Sequence, residues 1–232
     1  VVLMAYGTPR SREEIEPYYT DIRRGRPPTP ELLADLIRRY DAIGGISPLA
    51  ALTEAQRAAL ARALEARAPG RFDVVLGLKH AHPMIEETAR TLVDRGVKRA
   101  VGLVLAPHYS GFSIGQYQDR LRAVLEPAGC AVTAIDSWAS NPAYVAFLAG
   151  EARQADALHV LGDLFEAHLG DDDQPAWRVP IEAAFRAVAD AGVDLRFLPG
   201  NRDFLLGSAF AQRCGGQAVD DPFELDLHGT RV

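Results

Sequence analysis

The chain has 232 residues, of which 48% are hydrophobic and 24% charged, enough for one large α/β domain or two small ones around a sizeable core. The formal net charge of −6 is unevenly spread: Lys and Arg face Asp and Glu 18 to 16 through Gly150, and 7 to 15 from Glu151 onward, which leaves no basic face for nucleic acid. No apolar run approaches membrane-spanning length, and Cys130 and Cys214 lack any ligand-like spacing, so a cytoplasmic protein with no transmembrane segment, no zinc knuckle and reduced thiols is expected.

Val1 enters an apolar run directly, without an initiator methionine or basic leader, as in a trimmed start. Residues 1–5 read as a buried strand that leaves its sheet through Tyr6-Gly7-Thr8-Pro9. Helical patterns follow over 12–24, 30–40 and 53–67, punctuated by Pro27-Pro28 and Gly44-Gly45. A strand is predicted at 72–76, a helix at 83–95, a strand at 100–105, a helix at 114–128 and a strand at 131–135. At residues 141–150, Asn141 can cap and Pro142 open a short helix whose apolar face is Tyr144, Val145 and Leu148. Beyond it come a strand at 157–161, a helix at 176–191, a strand at 195–198, a helix at 202–213 and an extended tail at 223–232 with a turn at His228-Gly229-Thr230. Strands alternating with helices predict an α/β fold, a parallel sheet with helices on both faces. A single sheet could run through 141–150, since both sides supply βα units.

Residues 1–141 and 142–232 nevertheless differ in chemistry. The first stretch carries phenols, guanidinium groups and histidines suited to a flat anionic ligand, with Tyr6 at a strand end where open α/β sheets bind ligands. Guanidinium forks at Arg23, Arg24 and Arg26 suit carboxylates. Taken alone, these arginines read equally well as a solvated helix end, Tyr6 as a packing residue, and His80 or His108 as loop histidines.

Five ordered motifs settle on one resemblance: Met4-Ala5-Tyr6-Gly7-Thr8-Pro9, Tyr18-Tyr19-Thr20-Asp21-Ile22-Arg23-Arg24-Gly25-Arg26, Gly44-Gly45-Ile46-Ser47-Pro48-Leu49, Gly77-Leu78-Lys79-His80 and Leu105-Ala106-Pro107-His108-Tyr109-Ser110. Over about the first 140 residues the chain closely resembles the amino-terminal half of ferrochelatases, especially the coproporphyrin-using branch of Gram-positive bacteria. The resemblance implies one wall of a porphyrin cleft in an enzyme that inserts ferrous iron, its substrate, into a tetrapyrrole in heme biosynthesis. Tyr6 would face the metal, Arg23, Arg24, Arg26 and Ser47 would hold propionates or an outer metal ion, Lys79 and His80 would lie along the metal-entry side, and Tyr117 would line the cleft. The family's catalytic histidine and acidic partner find no match after Gly150, so an incomplete and inactive cleft is expected.

From about residue 145 onward, Phe147-Leu148-Ala149-Gly150, Gly162-Asp163-Leu164-Phe165-Glu166, Gly170-Asp171-Asp172 and Gly200-Asn201-Arg202-Asp203-Phe204-Leu205-Leu206-Gly207 resemble the middle of a different family. It is the calcineurin-like metallophosphoesterase that cleaves the pyrophosphate of UDP-2,3-diacylglucosamine, a nucleotide-sugar lipid, in lipid A synthesis. This resemblance implies that Asp163 and Asn201 bind manganese in a two-metal site and that Arg202 donates to phosphate. Asp226-Leu227-His228 imitates the family's opening motif in the wrong place, and Asp171 to Asp173 read as a solvated loop and helix-entry cluster rather than a ligand set. The expectation is a chimera of two incomplete pieces, with chelation, phosphodiester hydrolysis and a purely structural role all open.

Overall fold

The computed structural model describes residues 1–165, 169–173, 175–220, 222–224, 226–227 and 230–231, the last four without their side chains. It falls into two compact units, Val1–Ala139 and Ser140–Val232. Both are α/β, with parallel sheets flanked by helices. Among the described residues no helix is long and apolar enough to cross a membrane.

In the first unit, β1 (Val2–Ala5), α1 (Ile15–Ile22), α2 (Pro30–Ala42), α3 (Leu49–Arg67), β2 (Val75–Leu78), α4 (Ile85–Asp94), β3 (Arg99–Val104), α5 (Gln116–Leu125) and β4 (Ala131–Ile135) follow in order. The strands form a parallel sheet in the order β2-β1-β3-β4. Val2, Leu3 and Met4 are at most 1% exposed, as a continuous apolar strand flanked by two neighbours demands. One face packs Val2 and Met4 with Ile85, Ala89, Ile114 and Leu121; Leu3 turns to Val74, Leu76 and partly buried Leu60 and Leu64.

The strand expected at 72–76 lies instead at Val75–Leu78, because β1 selects the register: Val2 pairs with Val75 and Ala5 with Leu78. Phe72 stays exposed. The expected 12–24 helix opens as a short 3₁₀ turn at Arg12–Glu14, and the one at 53–67 begins earlier, at Leu49. A π-turn at Gly111–Gly115 leads into α5.

The second unit holds α6 (Pro142–Gln154), β5 (Ala157–Leu161), α7 (Val179–Ala189), β6 (Asp194–Leu198), α8 (Ser208–Cys214), β7 (Gln217–Ala218), β8 (Asp226–Leu227) and β9 (Thr230–Arg231). Asn141 caps α6 as expected: its Oδ1 accepts from the Ala143 N–H at 3.0 Å, with Pro142 at the first helical position. The alternation of strands and helices continues past residues 141–150, but β5, β6 and β7 form a parallel sheet of their own. Its core is aromatic: Phe197 meets Phe185 and Phe210 edge-on, with centroids 5.2 and 5.4 Å apart.

The helix expected over 202–213 is confined to Ser208–Cys214. Asp203, fully buried, accepts backbone N–H groups of Gly200 at 2.7 Å, Asp163 at 3.1 Å and Phe165 at 3.3 Å. A carboxylate satisfied by three backbone donors holds this segment as a loop against its helical propensity. The tail pairs as an antiparallel β8-β9 ribbon, while His228 and Gly229 of the expected turn lie outside the described residues.

Candidate functional site

The site grows from the carboxyl ends of β1 and β2. Beyond β2 the backbone stays laced to the last residue of β1 and the one after it: Lys79 N–H donates to Ala5 O at 2.9 Å and His80 N–H to Tyr6 O at 3.0 Å. This sets the Tyr6 and His80 rings together, centroids 4.5 Å apart and planes inclined at 56°. His80 Nδ1 lies 2.7 Å from Asp21 Oδ2 on α1. The Tyr6 hydroxyl is held above the ordinary phenol range by burial and then by the Asp21 charge, so it is neutral at physiological pH.

Next to this pair, Lys79 Nζ donates to Gln116 Oε1 at 2.7 Å and sits 5.0 Å from the centre of the Tyr117 ring, a cation held on an aromatic face. Burial, and then the Arg120 charge, depress the Lys79 ammonium below its usual range. Arg120 forks onto Glu86 at 2.6 and 2.7 Å and donates to Lys79 O at 2.7 Å, clamping the loop from α5. That fork holds the Glu86 carboxyl below its usual range.

Tyr6 also lines a cavity of about 540 Å³, with Tyr18, Tyr19, Leu36, Arg39 and Ser47 among its walls. The structure therefore brings Tyr6 and Ser47 into one cavity, and Lys79, His80 and Tyr117 into a cluster beside Tyr6. Arg23 lies over the Tyr19 ring at 5.6 Å and donates from Nε to Arg26 O at 3.3 Å; Arg24 and Arg26 are exposed and outside the cavity lining. A cavity of about 600 Å³ at the amino ends of the strands, walled by Arg71, Arg95 and Arg99, contains none of the expected site residues.

Sequence reading missed the contribution of α2. Leu32, Asp35, Leu36, Arg39, Tyr40 and Ile43 all line the cavity, spaced as one face of a helix. That periodicity is visible in the sequence, but it also describes any helix packed on a core.

Tyr117 offers a pH test. Burial, and then the Tyr6 charge, push its hydroxyl up to about 12 from the ordinary 10.0. A folded value above the unfolded one stabilises the fold fully below the unfolded value, and that stability is lost as pH rises through the folded value. Tyr117 should contribute a fall of roughly 2–3 kcal/mol in unfolding free energy across this alkaline window, and Tyr117→Phe should lessen the total fall by that amount, as read by urea melts at stepped pH.

In the second unit, Asp163 at the end of β5 and Asn201 after β6 do meet. The Asn201 side-chain amide lies 3.2 Å from each carboxylate oxygen, where hydrogen bonding calls for its nitrogen as the donor, and Arg202 N–H donates to Asp163 Oδ1 at 3.0 Å. Among the described residues no group of three or more His, Cys, Asp or Glu could hold a metal. Of the Asp226-Leu227-His228 motif, the Asp226 side chain and all of His228 lie outside the described residues. Asp171, expected in a solvated loop and helix-entry cluster, accepts the Gly207 and Phe210 N–H groups at 3.0 and 2.9 Å, at the start of α8 rather than of the helix that follows it in sequence.

The family model for ferrochelatase matches residues 1–168, beyond the seam expected at 141–150 and through α6 and β5. The coproporphyrin III ferrochelatase of Oceanobacillus iheyensis is 48% identical over 150 residues, covering 64% of this chain and 48% of that protein. The Staphylococcus epidermidis protein of the same name is 46% identical over 148 residues, 63% and 48% of the two chains, and that of Anoxybacillus flavithermus 42% over 156 residues, 66% and 50%. The chain spans about half the length of the curated relatives it matches. With a family match across most of its residues, and Tyr6 and His80 paired at the carboxyl edge of its parallel sheet, this chain belongs to the ferrochelatase family.

Proposed function

We propose that residues 1–141 form one wall of a porphyrin cleft and that this wall serves the insertion of ferrous iron into coproporphyrin III, a step of heme biosynthesis. The observation that carries this reading is Tyr6, at the end of β1, facing a cavity walled by further tyrosines, Arg39 and Ser47. Aromatic faces suit a flat macrocycle. Arg23, Arg24 and Arg26, just beyond α1, are the guanidinium groups for its propionates. A neutral Tyr6 phenol offers iron an oxygen without the tight hold of a phenolate, which lets the metal pass on. Removing protons from the pyrrole nitrogens calls for a base, and the catalytic histidine and acidic partner that the family uses find no match after Gly150. This chain alone is therefore expected to bind porphyrin and to insert iron slowly, if at all. Titrating it into coproporphyrin should give a saturable shift of the Soret band; the absence of a shift at high protein concentration would sink the reading, and fast insertion of anaerobic ferrous iron would overturn the inactivity.

A second reading rests on the approach of Asp163 and Asn201 across the ends of β5 and β6. In it, residues 142–232 derive from a UDP-2,3-diacylglucosamine diphosphatase and are spliced to the chelatase piece, with Arg202 as a remnant phosphate donor. No hydrolytic step is assigned to this pair alone, since among the described residues no group of three or more His, Cys, Asp or Glu joins it. Manganese-dependent cleavage of an activated phosphodiester, abolished by Asp163→Ala, would show that hydrolysis survives.

A further inference from the structure

His80 has two ring nitrogens, and one of them is committed. Nδ1 lies 2.7 Å from Asp21 Oδ2, a contact between residues 59 positions apart in sequence. The His80 side chain is only 14% exposed, so little water reaches the ring to replace that carboxylate. The rest of the residue is held too: its backbone N–H is bonded to Tyr6 O, and its ring lies against the Tyr6 ring. The neighbouring Lys79 ammonium is kept on Gln116 and the Tyr117 face. An ionised carboxylate only accepts hydrogen bonds, so a neutral imidazole facing it carries its proton on Nδ1 and keeps the lone pair on Nε2.

We propose that Asp21 is a positioning residue, holding His80 as the Nδ1–H tautomer so that Nε2 is open as a nitrogen donor to a divalent cation beside Tyr6. A carboxylate behind a metal-binding histidine orients the ring and raises its basicity. The purpose, passing ferrous iron towards Tyr6, rests on the chelatase reading; the tautomer does not. Nothing in the spacing of Asp21 and His80 along the chain announces the pair, since it exists only where α1 crosses the loop after β2.

The test uses isotope-labelled protein and cobalt(II), with no porphyrin. Proton–nitrogen correlation spectra of the imidazoles, with the His80 signal assigned from His80→Gln, should show Nδ1–H in the unmodified chain and mainly Nε2–H in Asp21→Ala. Cobalt(II) affinity should fall about 10–100-fold in Asp21→Ala, and by a similar factor in His80→Gln. An Nε2–H tautomer in the unmodified chain overturns the proposal without any variant, and so does unchanged cobalt(II) binding by Asp21→Ala. A missing Soret shift, by contrast, sinks the chelatase reading and leaves the role of Asp21 standing.

Discussion

Gly7→Val is expected to destabilise the first unit by about 2–5 kcal/mol and, on the chelatase reading proposed above, to weaken porphyrin binding with it. Gly7 has φ +88°, and a Cβ built there would come within 2.8 Å of Ala81 Cβ and 3.1 Å of Ala81 N. Two costs add: roughly 1–2 kcal/mol for an L side chain in the left-handed region, and about 1–3 kcal/mol for forcing volume against packed neighbours. A β-branched residue suffers the first most. The strain falls beside the site, because Gly7 follows Tyr6 while Ala81 follows His80, and the two segments are joined by the Tyr6 and His80 backbone bond. Trp138, whose Nε1 donates to Val104 O at 2.9 Å, reports the first unit if Trp177 is replaced by Phe in both proteins compared. An unchanged urea midpoint in Gly7→Val would mean that the loop yields, and that the close approach of Gly7 and Ala81 does not set the site.

Phe197→Ala should cost the second unit about 3–5 kcal/mol, the range for truncating a fully buried phenylalanine. Phe197 is 0% exposed and touches Phe185 and Phe210 edge-on, each contact contributing about 0.5–1.5 kcal/mol beyond burial. It also lies in β6, the middle strand of its sheet, so neither neighbour can close the gap without disturbing the pairing. Trp177, stacked edge-on with Phe165 at 5.6 Å, reports this unit when Trp138 is replaced by Phe. A loss below about 1 kcal/mol would show that the aromatic cluster relaxes into the space.

Elements driven by local chemistry were legible. The apolar runs that became β1, β3, β4 and β5 fall within a residue or so of their expected bounds, and the Asn141 cap with Pro142 placed the start of α6, because a cap and a buried run need only their own neighbours. Elements decided by distant partners were not. The register of β2 was chosen by β1, and the loop at 200–207 was imposed by Asp203, whose donors include residues 163 and 165.

By itself the sequence determined the α/β class and the ferrochelatase family, because strand and helix periods and contiguous motifs are written in neighbouring residues. Only the tertiary structure decided that the second sheet stands as its own, that α2 walls the cavity under Tyr6, that Asp21 binds His80 and that Asp163 accepts the Arg202 N–H. Each of these depends on which carboxylate, ring or strand lies closest across space, and chain order does not encode that distance.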